Sequence, residues 1–471
     1  MQPFRPWRSA VEGVKVGTVN AHISSRRGEV KRSLWRGRHE VSGAGVKLGL
    51  RDNWFQFSLF TVITLFIGMT IGVERVALPP LARDQFGIVS VLYTVSFLAA
   101  FGLVKSIMNL VSGRLSDRRG RKALLVAGWL FAIPYALLII FATSWWYVLA
   151  ANLLLGVNQG LTWTMSVTAK IDLVGPVNRG LAVGIDESAG YIGVGLGGIA
   201  AGLLVAKYGL RPAPYLLVLA VVVVGLLVTV LFAKDTLPWT RIEGTSRSGP
   251  HLRRLEIFKY MSYRDRSMLA VCQAGMINKF LDSLVAAFLP LYFLRLGVGL
   301  LAIGTIAGTY ALVWGFGQLG GGAIADRYGR RLPIVAGTFT VGGGLAVVLV
   351  TVSYPVVICG AVLMGLGMAL VYPNLITVVG DTADPAWRGS ALGVYRLWRD
   401  GGYALGPVVL GVIASFFGLV AALWAGVGLA AASGLVLATS LVESDPKRRL
   451  GPRKWETHPE WLGAASRSEL P

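Results

Sequence analysis

A chain of 471 residues in which 54% of side chains are apolar and only 15% charged, with 60 glycines and a mean hydropathy of +0.62, is far more apolar than a soluble domain, where about a quarter of residues are charged. This composition excludes a disordered chain, and it excludes a basic nucleic-acid-binding protein despite the formal charge of +21. Two cysteines, Cys272 and Cys359, both lie in apolar runs, so neither a disulfide framework nor a zinc cluster is written in the sequence.

In chain order, residues 1–53 come first and are basic, with Arg26, Arg27, Lys31, Arg32, Arg36 and Arg38 clustered together. They hold no apolar signal-peptide core. They are expected to be a solvated cytoplasmic tail or an over-extended start, with attraction to anionic lipid as the alternative. Apolar stretches then recur near 55–80, 90–112, 123–142, 146–168, 181–206 and 212–233. Each is about 20 residues, the length that crosses ~30 Å of hydrocarbon as helix. Residues 234–267, with 8 basic and 4 acidic side chains, read as a cytoplasmic linker. Six further stretches follow near 268–292, 299–321, 332–352, 355–378, 391–416 and 419–441, and 442–471 form a second tail. Lipid offers no partner to an unpaired backbone group, and the alternation of a membrane barrel is missing. The expected fold is therefore an all-α membrane protein. Twelve transmembrane helices form two six-helix bundles, 54–233 and 268–441, with both termini cytoplasmic.

Charge sets the orientation. With both termini inside, 36 Lys and Arg fall on the inner side and 4 (Arg83, Lys207, Arg211, Arg295) on the outer side, leaving 5 within the spans. Basic residues mark cytoplasmic loops, so the +21 is mainly an orientation signal.

The halves repeat at an offset of 209: Gly113–Lys122 reads GRLSDRRGRK and Gly322–Arg331 reads GAIADRYGRR. At the same offset Asp172 meets Asp381 and Gly184 meets Gly393, while Gly87 meets Gly297 at 210. Such repeats mark secondary transporters, with the substrate site at their interface. The decapeptide Gly-x-x-x-Asp-Arg-x-Gly-Arg-Arg/Lys, present twice, resembles the signature of the major facilitator superfamily, and the resemblance covers roughly 54–441. It implies alternating access around a central cavity lined mainly by spans 1, 4, 7 and 10. It also implies a cytoplasmic gate built from Gly113, Asp117, Arg118, Gly120 and Arg121, mirrored by Asp326, Arg327, Gly329 and Arg330. In that gate Asp117 would face span 11 and Asp326 span 5. GVERVALPPLA (72–82), GVNQGLTWTM (156–165) and VYRLWRDGGYALGP (394–407) look like a drug:proton antiporter-like bacterial branch.

Ten charged residues lie inside the spans: Glu74, Asp186, Glu187, Asp282 and Asp400 against Arg75, Lys105, Lys279, Arg396 and Arg399. Each costs about 2.5–3.5 kcal/mol at a helix centre on insertion scales, so all should face protein or water. Glu74, Arg75, Lys105, Glu187, Lys279, Asp282, Arg396 and Asp400 are the candidates for proton or substrate coupling. Glu74 and Arg75 are adjacent, ~100° apart, and cannot share one spot. Lys279 and Asp282 share a face at i,i+3, as do Arg396 and Asp400 at i,i+4. Lys105 is expected to reach Asp400 across the halves when the gate closes; permanent neutralisation of Asp400 by Arg396 is the alternative.

Asn158, Gln159, Thr162, Trp163 and Ser166 make span 4 polar, and Tyr372 and Asn374 answer on span 10. They are either a cavity suited to an amphipathic organic molecule or interhelical glue. The expected function is proton-coupled efflux of small organic compounds in a bacterial-type inner or plasma membrane. The alternatives are uptake of a metabolite or sugar, export of a soft metal (Cys272, Met276, Cys359, Met364, Met368), and a non-transporting sensor. No enzyme motif or nucleotide loop is present. No cofactor, resident metal or nucleic-acid partner is expected. The partners are a small-molecule substrate, protons and membrane lipid, and the chain is expected to work as a monomer.

Overall fold

The computed structural model describes residues 47–174, 179–239, 254–383 and 387–445, together with Arg448, Gly451 and Pro452. The basic tail 1–46 and linker residues 240–253 lie outside the described residues, as do 453–471.

Twelve long helices are found among the described residues. The first six are α1 Trp54–Asp84, α2 Ser96–Arg119, α3 Arg121–Ile140, α4 Trp145–Val174, α5 Arg179–Tyr208 and α6 Ala213–Phe232. The others are α7 Arg266–Arg295, α8 Leu300–Tyr328, α9 Arg331–Val350, α10 Tyr354–Thr382, α11 Arg388–Phe417 and α12 Leu419–Ser440. Among the described residues ten are long and apolar enough to cross a membrane, and Ser96–Asn109 of α2 is a shorter apolar helix. Large apolar side chains such as Phe131, Leu227, Phe316 and Val412 stand exposed on the outer surface. A soluble protein would bury a surface of this kind, and here it meets lipid.

Several boundaries differ from the sequence reading. Pro79 and Pro80 do not end α1, which runs on to Asp84 because the turn around them is buried in the bundle. Neighbouring helices in a membrane can accommodate the backbone groups a proline frees. Lys170, read as an inner-loop residue, is inside α4 and fully buried. The linker is partly structured: Arg254–Lys259 is a helix that passes into a π-turn at Tyr260–Arg264. Tyr260 and Met261 are buried there, with the Tyr260 ring 5.9 Å from that of Trp387. At the amino end Gly49 N–H donates to Leu173 O at 3.0 Å, so residues next to α1 dock on the end of α4.

The repeat is visible in the turns. Gly87 and Gly297, Gly120 and Gly329, and Gly209 and Gly418 all have positive φ, at matching places in the two halves. A left-handed turn is open to glycine at little cost, so the same three corners are built twice.

Across the halves, α5 packs along α8 and α2 along α11. Backbones approach closely between the halves: a Cβ placed on Gly102 would lie 2.5 Å from Tyr403 C, one on Gly315 2.8 Å from Ile192 N, and one on Gly304 3.0 Å from the Cα of Gly202. Small residues allow such backbone contact between membrane helices. The outer parts of α1 and α7 also touch, whereas α4 and α10 make no comparable contact across the halves among the described residues. On the orientation that the basic loops dictate, the described contacts between the halves lie in the outer and middle parts of these helices.

Candidate functional site

The inner ends of α2 and α8 carry the repeated decapeptide. Side chains of Gly113, Asp117, Arg118 and Asp326 lie outside the described residues, so the gate expectation for them is not addressed. What is described is a pair of matching clamps. Arg121 Nε meets Asp172 at 3.0 Å in the first half, and Arg330 Nε meets Asp381 at 3.3 Å in the second. The resemblance places both arginines in the cytoplasmic gate, and here each holds a carboxylate of its own half. Only the fold brings the end of α4 or α10 back to the turn. Arg327 is exposed and stacks over Tyr328.

A second carboxylate serves each turn. Asp235, after α6, accepts from Lys122 N–H at 3.2 Å. Glu443, after α12, accepts from the N–H groups of Arg330 (2.9 Å) and Arg331 (3.1 Å). Acids favour helix N-termini, where backbone donors are unpaired. Burial opposes ionisation of Glu443. The backbone N–H groups of Asp445, Arg330, Arg331 and Ser444 outweigh it and hold the carboxyl below its usual range. A depressed pKa stabilises the fold above the unfolded glutamate value, and the gain is lost as pH falls through the folded value. Glu443→Gln should therefore destabilise by about 1 kcal/mol at neutral pH, the scale of a helix cap. The difference from wild type should shrink as pH falls below ~4.3. Thermal unfolding against pH checks this; a constant difference would show that the charge is not its source.

At mid-membrane, residues of α1, α2, α4, α5, α7, α10 and α11 line a narrow cavity. Its centre is an ion pair between the halves. Arg75 of α1 donates to both oxygens of Asp282 of α7 at 3.0 Å. Tyr403 of α11 accepts from Arg75 and donates to Asp282, and Tyr310 of α8 donates to Asp282 at 3.1 Å. Lys279 lies 3.2 Å from Asp282 and also donates to Tyr191. Its ammonium sits 4.9–5.2 Å from the ring centres of Tyr191, Trp314, Tyr372 and Tyr403. Cation–π attraction of this kind strengthens with desolvation. Directly after Asp282 and Ser283, α7 widens into a π-turn at Leu284–Phe288, a feature frequent at functional sites.

A second cluster lies closer to the cytoplasm. Asp400 accepts from its neighbour Arg399 (2.7 and 3.0 Å) and from Asn109 of α2. Arg399 also donates to Tyr372 at 2.7 Å, and Tyr372 donates to Glu187 at 3.0 Å. The expected Lys105–Asp400 pair is not formed, nor is Asp400 neutralised by Arg396. Lys105 lies over the rings of Trp163 (5.0 Å) and Phe101 (5.4 Å). Asn109, one turn nearer the cytoplasm than Lys105, reaches Asp400 across the halves instead, and Arg399 takes the carboxylate.

Glu74 is buried, at 2% exposure, and does not line the cavity. It points into the first half within electrostatic range of Tyr135 and Tyr215. Its Oε1 finds no hydrogen-bond partner among the described residues. The adjacency argument holds: Arg75 turns to the cavity and Glu74 turns away.

The polar face of α4 is corrected. Asn158 donates to Gly128 O, Gln159 to Ile67 O and Thr70, and Ser166 to Phe60 O. Thr162 bonds its own helix at Asn158 O. These side chains tie α4 to α1 and α3 or to itself, and none lines the cavity. The neighbouring face, Trp163 and Thr164, does line it, as does Tyr372. Asn374 instead bonds Gly321 O and Leu370 O. The sequence reading also missed a buried pair, Lys170–Asp186 at 2.7 Å, held by Thr64 and Ser166. Tyr191 and Tyr403 were missed as well, although each lies one turn beyond a charge, Glu187 and Arg399, on the same face. The soft-metal alternative finds no assembled site: Cys272 is buried and Cys359 exposed, and no cluster of three metal-binding side chains exists among the described residues.

The sequence pattern of the Major Facilitator Superfamily matches residues 60–407 and also 271–469. The multidrug resistance protein MdtG of Proteus mirabilis is 26% identical over 315 residues, 65% of this chain and 75% of that one. An uncharacterized MFS-type transporter of Salmonella typhimurium, STM4428, is 22% identical over 370 residues, 74% and 87% of the two chains. Among solved structures, the human organic anion transporter MFSD10 (TETRAN) gives a TM-score of 0.61 at 19% identity, covering 81% of this chain and 98% of its own. A D-xylose-proton symporter gives 0.67 at 13% identity, covering 83% and 99%. At these identities the likeness to solved structures is one of fold.

Proposed function

Since the chain belongs to the major facilitator superfamily and is a multi-pass membrane transporter, we propose that it exports small organic compounds across the bacterial plasma membrane in exchange for protons. The observation that carries this reading is the buried Arg75–Asp282 pair, which joins the two halves at the central cavity. Opening the outer side separates α1 from α7 and breaks this pair. A proton or substrate that compensates either charge makes that step easier, and a ligand shifts such an equilibrium only through its differential affinity for the two states. Asp282 is committed to two cations, Arg75 and Lys279. Glu74, one residue from Arg75, has no cation bound to it among the described residues, which makes it the favoured proton carrier. The multidrug assignment of the Proteus relative and the bacterial sources of the sequence relatives support the direction and the membrane.

The test is flux in proteoliposomes reconstituted with the purified protein, with a pH gradient imposed in either direction. Uphill movement of an organic probe should follow the gradient, with protons running opposite to it. Flux indifferent to the gradient would sink proton exchange.

A further inference from the structure

The cavity carries an imbalance of charge. Arg75, Lys105, Lys279, Arg396 and Arg399 line it, against Glu187 and Asp400, with Asp282 directly behind Arg75. Counting all three acids leaves an excess of two positive charges. The acids are also largely committed. Asp282 receives Arg75, Lys279, Tyr310 and Tyr403, Asp400 receives Arg399 and Asn109, and Glu187 receives Tyr372. A carboxylate has about four lone-pair sites, so Asp282 has little left to offer a cationic guest.

The cations divide differently. Arg75, Lys279 and Arg399 each have a carboxylate partner. Lys105 of α2 and Arg396 of α11 have no hydrogen bond and no ion pair among the described residues, yet both side chains are half-buried and face the cavity. They come from opposite halves. Lys105 is already set against aromatic surface, over Trp163 and Phe101. Two cations lining one cavity, one of them set over indole and phenyl faces, suit an acid group attached to a flat apolar body: charge-assisted hydrogen bonds would hold the acid, and the rings would cover the body.

We propose that the substrate is an organic anion, an aromatic or amphipathic carboxylate, sulfonate or phosphate, whose acid group is met by Lys105 and Arg396 together. This rests on the transporter reading and specifies the substrate class of the same cavity. Joining an anion to one cation from each half would also add a tie between α2 and α11 beside the Asn109–Asp400 bond.

The test uses three compounds with one ring system: naphthalene-2-sulfonate, 2-naphthyltrimethylammonium and 2-naphthol. Equilibrium binding to purified full-length protein should favour the sulfonate over the ammonium by about tenfold or more, the scale of a charge-assisted contact. Lys105→Gln and Arg396→Gln should each weaken the sulfonate by a similar factor and leave the ammonium no weaker. Lys105→Arg and Arg396→Lys, which keep the charge, should restore sulfonate binding; they also decide the matter if a glutamine variant fails to fold. A sulfonate that binds no better than the ammonium, or does not bind, overturns the proposal. So does sulfonate binding unchanged in both glutamine variants. If the ammonium or the naphthol is then driven by a pH gradient, the transporter reading stands and only the anion class falls. If the sulfonate binds with the expected variant pattern but no gradient moves it, the anion site stands and proton-driven transport falls.

Discussion

Asp282→Asn is expected to abolish transport and to lower the stability of the purified protein by roughly 3–5 kcal/mol, the cost of removing one partner from a buried pair. Arg75 is 7% exposed and Asp282 fully buried, so the substitution strands a guanidinium where water reaches it poorly. The tyrosines on Asp282 cannot replace the lost charge, because Tyr310 donates to Asp282 itself and only Tyr403 touches Arg75. The double variant Arg75→Gln/Asp282→Asn removes the stranded guanidinium, leaves only Lys279 short of its carboxylate, and should recover part of the stability. Residues in contact show coupling of this kind in a double-mutant cycle. Transport should remain lost in the double variant, since the ion pair that joins α1 to α7 is then gone. Thermal unfolding of all four proteins in one detergent decides it. A double variant no more stable than the weaker single would remove the ion pair as the link.

Glu74→Gln is expected to end uphill flux driven by a pH gradient while sparing exchange of substrate across the membrane. The amide mimics the protonated acid, and exchange needs no net proton movement. The side chain is buried beside Tyr135 and Tyr215, outside the cavity lining, so direct substrate contacts should be kept. Linkage adds a second readout: in an antiporter, proton and substrate oppose each other, and the effect is reciprocal. Substrate affinity should therefore vary with pH in the wild type and lose that variation in Glu74→Gln. Wild-type gradient-driven flux with unchanged pH dependence in the variant would make Glu74 a structural residue. Asp282 would then be the remaining acid to assign.

The positions of the charges at the site were legible; their partners were not. Arg75, Lys279, Asp282 and Asp400 stand out because charge inside an apolar span is costly, and each lines the cavity or lies immediately behind it. Helical spacing suggested that Arg396 serves Asp400, yet Arg399 takes it, because the turn of α11 that faces the cavity places Arg399 against the carboxylate and Tyr372. Lys170 escaped notice because a lysine near a span's end reads as a loop residue, while α4 continues past it to Val174 and Asp186 of α5 supplies the counter-charge.

The sequence by itself determined the spans, their orientation and the twofold repeat. These follow from patterns along one dimension: apolar length against the thickness of lipid, basic residues against the side of the membrane, and turn glycines at a constant offset. Only the tertiary structure decided which face of each helix meets water, a partner helix or lipid. Asn158, Thr162 and Ser166 share one face of α4, and Trp163 lies beside it. Periodicity fixes their relative angles but not the rotation of the whole helix. That rotation is set by packing against α1 and α3, where glycines and small side chains allow close approach. It turned the amides and hydroxyls into the bundle and the indole into the cavity.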